Sequence, residues 1–478
     1  MGNIVTIAQH RVELEDPHNC TDNRDVLAVQ TALFDPLVAY DPQMRYVPGL
    51  AESWTTADDA RTWTFRLRPD AEFHDGRAVD AEAVACSLKR MARPDMGVTL
   101  GAPGVYHQYL ADMDLTILDR HTIRLTLAQP LADLLDVLVT GYILPPDALE
   151  GRGEGPRSAP VGSGPFELTD YQQGVCVRAA RNRSYFNGIP EIETVQWLRV
   201  PDPRERLQLI REGKAQIAAG PPYADALENQ GLSYIRSRGS TVYIIIFNTR
   251  ETPLKDPRVR LALNLGVDRR ELIDEVLNGA GYPLSGFISP AHFGFDPAQP
   301  DFPCDPRRAR TLLREAGYGQ GLSLTLDSPI SLPNEARRLS RALSRQLARI
   351  GVAMDIVYTE DRELYANKVR LKDIHDMCVF DSSPLSTFRV LKEKVDARFA
   401  GSWWQGYHNA PVEKLLDQAQ STADNARRRD IYRQCFRLLN EDPPWLYLYN
   451  YMEITYVAAA LSAWQFPAHG VIDPRYLQ

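Results

Sequence analysis

His74 and Asp75 stand side by side in WTFRLRPDAEFHDGRAVDAEAVACSLKRM, residues Trp63 to Met91. An imidazole beside a carboxylate could move protons, and with a hydroxyl or thiol it could activate a nucleophile. A pair adjacent in sequence nevertheless lacks the third group of a triad. The competing reading is turn and surface chemistry, and no catalytic residue is assigned. Gly162-Ser163-Gly164-Pro165-Phe166 was the other place to look for a nucleophile. It is not GxSxG, so it makes no nucleophile elbow. No GK[ST] follows it, so it is no phosphate loop. Small residues there let a backbone approach something closely. His107, His375 and His408 lie far apart, and no pair has ligand spacing. The six cysteines form no CxxC. No resident metal or cofactor is expected, and no cysteine pair stands out for a disulfide.

The elements that hold these residues read as mixed α and β. Trp63, Phe65 and Leu67 alternate with polar residues, the period of a half-buried strand. Asp75-Gly76 signals a turn, and Asp80 can cap a helix over Ala81 to Met91. A hairpin is predicted around Asp119-Arg120-His121 and a helix over Ala132 to Thr140. The stretch from Glu150 to Phe166 reads as a boundary or mobile connection. Val195 to Leu198 reads as a strand and Arg204 to Glu212 as a helix. Tyr243 to Phe247 is a continuous apolar run, as in a strand buried on both faces. Helices follow from Val259 and after Asp268, then over Pro306 to Gly317 and Asn334 to Gly351. Strands are predicted at Leu322 to Leu326 and Met354 to Tyr358, and late helices at Val412 to Ala419 and Asn425 to Leu439. Such alternation is an α/β signature.

The 478 residues allow about three structural units. A net charge of -8 with scattered Lys and Arg speaks against nucleic acid and anionic membranes. No apolar run reaches the roughly 18 residues of a membrane span. The start shows no charged n-region or apolar h-region. The chain therefore reads either as cytoplasmic or as a mature exported form whose signal peptide has been removed.

Five stretches in order carry a resemblance. They are DPHNCTDN, then VPGLAESW with WTFRLRPDAEFHDGRAVDAEAVACSLKR, then PVGSGPFEL, then YIIIFNTRETPLKDPRVRLALNLGVDRREL, and lastly PWLYLYNYMEITYV. Together they span nearly the whole chain and resemble the peptide- and nickel-type extracytoplasmic solute-binding proteins of ABC importers. The resemblance implies a two-lobed periplasmic-binding-protein fold, class II-like, hinged on two crossing strands. Residues 1–36 and 150–239 would form the core of lobe one, with an inserted subdomain at 37–149. Residues 240–452 would form lobe two, and 453–478 would return to lobe one. Ser240 and Met452 would mark the hinge, and Trp63 to Met91 would be scaffold within the inserted subdomain.

The implied function is a periplasmic receptor, a monomer, that captures a peptide or small peptide-like solute between the lobes. It would deliver that solute to an ABC permease and ATPase at the inner membrane, with no nucleic acid involved. The implied contacts are Thr21, Asp22 and Asn23, whose other reading is a helix cap, then Tyr106, His107, Gly162, Ser163 and Asn248. In lobe two, with Asn248, they are Asp381, Ser382, Ser383, Arg389, Trp403, Trp404, Gln405 and Tyr407. Peptide-binding relatives place an aspartate here against the ligand's amino terminus, and Asp381 is the nearest candidate. The family pattern has Gly-Asp ahead of Asp-Pro, whereas this chain reads Phe380-Asp381-Ser382-Ser383-Pro384. Arg389 could instead grip a carboxylate or phosphate. The alternatives are an opine, a sugar-phosphate conjugate or a nickel chelate held through histidine. A hydrolase acting on a bound peptide is the alternative of another class.

Overall fold

The structure is a computed structural model of the chain. It describes residues 4–21, 23–97, 104–149, 160–220, 231–250, 253–330, 335–382, 384–464, 466–467 and 470–477. Two compact units are present. One is Met1–Ser237 together with Glu453–Gln478, and the other is Arg238–Met452. Both passages of the chain between units lie inside long strands, Ser233–Phe247 and Trp445–Val457.

In the first unit the strand Ile4–Gln9 pairs in parallel with Thr194–Arg199 on one side and Ile217–Ala218 on the other. A strand flanked on both edges and covered on both faces is apolar along its length, and five of its six residues are buried. Thr194–Arg199 continues antiparallel into Cys176–Arg181, which forms a hairpin with Phe166–Gln172. Tyr456 and Val457 of the returning chain pair with Ala218 and Ile217. Ile7, Val195, Trp197 and Ile217 anchor the core beneath.

A second, antiparallel sheet in this unit has the order Ala51–Thr56, Thr62–Leu67, Thr122–Thr126, Asp114–Asp119. Trp63, Phe65 and Leu67 point inward as their alternation predicts. Asp80 caps Ala81–Met91 by accepting the Ala83 N–H at 3.1 Å. The helix predicted over Ala132 to Thr140 forms only as Leu134–Leu138, without a side-chain cap at Asp133.

The second unit carries a parallel core of Val352–Thr359, Leu322–Pro329 and Met377–Ser382, with 242–247 antiparallel beside the last. Its helices open earlier than apolar spacing suggests. Pro257–Leu265 begins two residues before Val259, and in the first unit Pro203–Arg211 begins before Arg204. In both, an aspartate caps and proline takes the first helical position, where its missing N–H has no partner to lose. Asp305 and Pro306 repeat the device.

Two arginines of DPRVRLALNLGVDRREL are buried tie-points. Arg260 donates to the carbonyls of Leu254, Lys255 and Pro443 and pairs with Asp442. Arg269 donates to Asn264 and Val267 carbonyls, and burial lowers its pKa to about 10. None of the six cysteines is in a disulfide. No helix among the described residues is long and apolar enough to cross a membrane.

Candidate ligand-binding site

His74 answers the chemical question raised by its neighbour. Asp75 is turned to Arg77 at 2.6 Å, and Arg77 also reaches Asp147. The histidine instead braces the glycine loop 88 to 90 residues away. Its main-chain N–H donates to Gly162 O at 2.7 Å. Its Nδ1 accepts from the Gly162 N–H at 3.3 Å, so Nε2 carries the proton and donates to Gly164 O at 3.0 Å. Burial lowers the His74 pKa, with the Gly164 carbonyl acting the other way. A depressed histidine contributes stability that is present above its ordinary pKa of about 6.5 and lost as pH falls through the folded value. His74→Ala is expected to cost about 1–3 kcal/mol near neutral pH, the cost of unmet buried loop groups, with a smaller loss in acid. Urea melts of both proteins across that range check this, and an equal loss at every pH would exclude the neutral brace.

The loop so held needs its glycines. A Cβ on Gly162 would meet Leu33 O at 1.8 Å, and one on Gly164 would meet Ala32 O at 2.5 Å. Between them Ser163 is fully buried, and its hydroxyl donates to Asp35 at 3.2 Å. Asn23 caps the helix Arg24–Leu33, its side-chain oxygen accepting from Asp25 N–H at 3.1 Å and Val26 N–H at 3.3 Å. Thr21 is buried, and Asp22 lies outside the described residues. Tyr106 is buried with its hydroxyl on Thr140 O at 2.9 Å. The His107 Nδ1 meets Ala92 O at 2.6 Å. The first unit's candidates thus fall into separate small networks rather than one cluster.

The second unit brings several candidates together. Asp381 and Ser382 lie on Met377–Ser382, opposite Tyr243 and Val242. Tyr243 packs edge-on against Tyr451 at 4.1 Å and stacks on Tyr449 at 5.6 Å. Tyr451 donates to Glu335 at 2.6 Å. Asp381 is half-buried, and its carboxylate has no hydrogen-bond partner among the described residues. Lys394, itself buried, donates to the main-chain carbonyl of Asp381 at 3.4 Å. Ser382 is buried with an unmatched hydroxyl, and Ser383 lies outside the described residues. Arg389 pairs with Glu393 at 3.0 Å on the following helix, Thr387–Lys394. The wall around Asp381 is therefore a carboxylate framed by tyrosines. The sequence places Tyr243 only in a buried strand; its position opposite Asp381 depends on strand register, which no local pattern shows.

The remaining candidates hold loops. Trp403 is buried against Phe380, ring centres 4.9 Å apart. Trp404 is half-buried and donates to Tyr407 O at 2.6 Å. Gln405 donates to Val369 O at 2.6 Å, and Tyr407 donates to Asp442 O at 2.8 Å. Asn248 donates to His375 O at 2.9 Å. Ser240 is buried and Met452 half-buried, each within a long strand that passes between units.

The family described as bacterial extracellular solute-binding proteins, family 5 Middle, matches residues 45–428. The glutathione-binding protein GsiB of Salmonella paratyphi A is 29% identical over 446 residues, covering 90% of this chain and 85% of that protein. Among solved structures, the substrate-binding protein CtaP from Listeria monocytogenes superposes with a TM-score of 0.84 at 20% identity, covering 99% of each chain. The periplasmic binding protein DppA from Helicobacter pylori, in complex with the peptide STSA, gives 0.80 at 21% identity, covering 100% of this chain and 97% of that one.

Proposed function

The chain belongs to the bacterial extracellular solute-binding proteins of family 5, and from that premise we propose that it is a receptor for a peptide or small peptide-like solute. The observation that carries the reading is the likeness to glutathione-binding proteins along 90% of the chain. The H. pylori relative in complex with the peptide STSA adds a second peptide ligand on the same fold. The half-buried Asp381 carboxylate beside Tyr243 suits the ammonium of such a ligand, through charge and the ring face together. The receptor acts in the periplasm as a monomer and hands its cargo to an ABC permease and ATPase. It does no chemistry on the solute: binding is stoichiometric and the solute is recovered unchanged.

A thermal-shift screen tests this. The set contains dipeptides, tetrapeptides, glutathione, opines, sugar phosphates and nickel chelates. A ligand at about 100 times its Kd adds about 2.7 kcal/mol of stability, an easily read shift. Peptides bearing a free amino terminus are expected to give the largest shifts. Stabilisation by an opine or a nickel chelate, with every peptide silent, would overturn the peptide reading. Product in the mixture by mass spectrometry would overturn the receptor reading.

A further inference from the structure

We infer that the second unit carries an accessory pocket for a free α-amino acid, separate from the wall around Asp381. The pocket lies between the segment 285–299 and the helix Asn425–Glu441 and has a volume of about 280 Å³. Phe287 and Phe436 line it. Phe287 is fixed by stacking on Trp445 at 4.2 Å, so the apolar floor is rigid. Arg433 and Arg437 sit one helical turn apart on the same helix face and also line it. Arg437 is exposed and forms no ion pair among the described residues. Arg433 reaches Phe295 O at 3.4 Å, while its Nε is buried without a partner.

The same lining supplies an acceptor. Asp296 is half-buried and accepts the Ala298 N–H at 3.0 Å. Asn440 donates to Ser285 O at 3.0 Å and its Oδ1 packs on Gly286, which fixes the rim beside Asp296. Two guanidinium groups, the Asp296 carboxylate and an aromatic floor are complementary to one carboxylate, one ammonium and one apolar side chain. The size is at the low end for small-molecule pockets, which favours a single residue over a peptide.

The test uses the full chain, freed of bound solute, titrated with L-phenylalanine by calorimetry. Saturable one-site binding is expected, unchanged in Asp381→Ala. Arg437→Gln is expected to weaken it about ten-fold, the effect of losing a charge-assisted bond. L-Phenylalaninamide, which lacks the carboxylate, is expected to weaken similarly on the parent protein. Arg437 makes no contact the fold needs among the described residues, so the variant keeps the parent's melting curve. Absence of saturable binding overturns the pocket. So does binding that disappears in Asp381→Ala and survives in Arg437→Gln, because it reports the other site. Binding that keeps the parent's affinity in both variants overturns it as well. Peptide-induced thermal shifts are expected to be the same in Arg437→Gln and the parent, so failure here is distinct from failure of the peptide reading.

Discussion

Arg475→Ala is expected to cost the first unit about 3–5 kcal/mol at pH near 7.5, because it strips the cation from a buried carboxylate. Asp35 is fully buried and accepts from Tyr185 OH at 2.9 Å, Ser163 Oγ at 3.2 Å and Arg475 Nη1 at 3.4 Å. Arg475 also clasps Asp473 at 2.5 Å. Burial pushes the Asp35 pKa up to about 6, while Arg475, Tyr185 and Ser163 hold it back. The sign follows directly. A carboxyl group with a raised folded pKa contributes stability that is fully present below its unfolded value of about 3.9 and is lost as pH rises through the folded value. Above pH 6 the folded protein carries a buried anion, and Arg475 is what makes that tolerable. Without the arginine the folded pKa rises further, so below about pH 5 Asp35 is neutral and the loss shrinks. Amide exchange of Arg24–Leu33 follows the unit without assuming that the whole chain unfolds in one step. Asp35→Asn combined with Arg475→Ala is expected to recover part of the loss, the rest belonging to buried Asp473, which the same substitution strips of its partner. An equal deficit at both pH values, or no recovery in the double variant, would show that Arg475 acts through Asp473 or packing and not through Asp35.

This network also shows where sequence reading stops. Asp35 and Arg475 lie 440 residues apart and Asp35 and Ser163 lie 128 apart, so no local pattern links them. The same holds for His74. Its visible neighbour was Asp75, yet its partners are Gly162 and Gly164, chosen by how the loop packs on Leu33. Local features were legible because their causes are local. Trp63, Phe65 and Leu67 alternate because one face of their strand is buried. Aspartates ahead of helices announced the caps, although the Asp-Pro openings moved two helix starts by one or two residues. The paired tryptophans were named only as implied contacts, without their partners. Those partners are Phe380 for the Trp403 ring and the Tyr407 carbonyl for the Trp404 indole N–H. Asp381 had chemistry visible in sequence, but its frame did not, since Tyr243 faces it through strand register and Lys394 through the turn of the next helix.

Asp381→Ala is expected to weaken a peptide with a free amino terminus by about 2–5 kcal/mol, as when one partner of a buried charged pair is removed. The carboxylate is half-buried and accepts no hydrogen bond among the described residues, so it is open to an arriving ammonium even though the Lys394 ammonium lies on its main-chain carbonyl. Its main chain is held by the pairing with Tyr243 and by Lys394, bonds that a shorter side chain leaves in place. The variant should therefore melt with the parent, and the loss should appear in binding alone. Asp381→Asn keeps the shape and removes the charge, so it should show most of the same loss. An N-acetylated version of the same peptide supplies the control, since it lacks the ammonium and should bind parent and variant alike, and weakly. The pattern expected from calorimetry is thus a large gap between free and acetylated peptide in the parent, closing in the variant. If the gap stays open in Asp381→Ala, the amino terminus is read elsewhere. Arg389 would be no substitute, because a guanidinium already paired with Glu393 recognises carboxylates rather than amines.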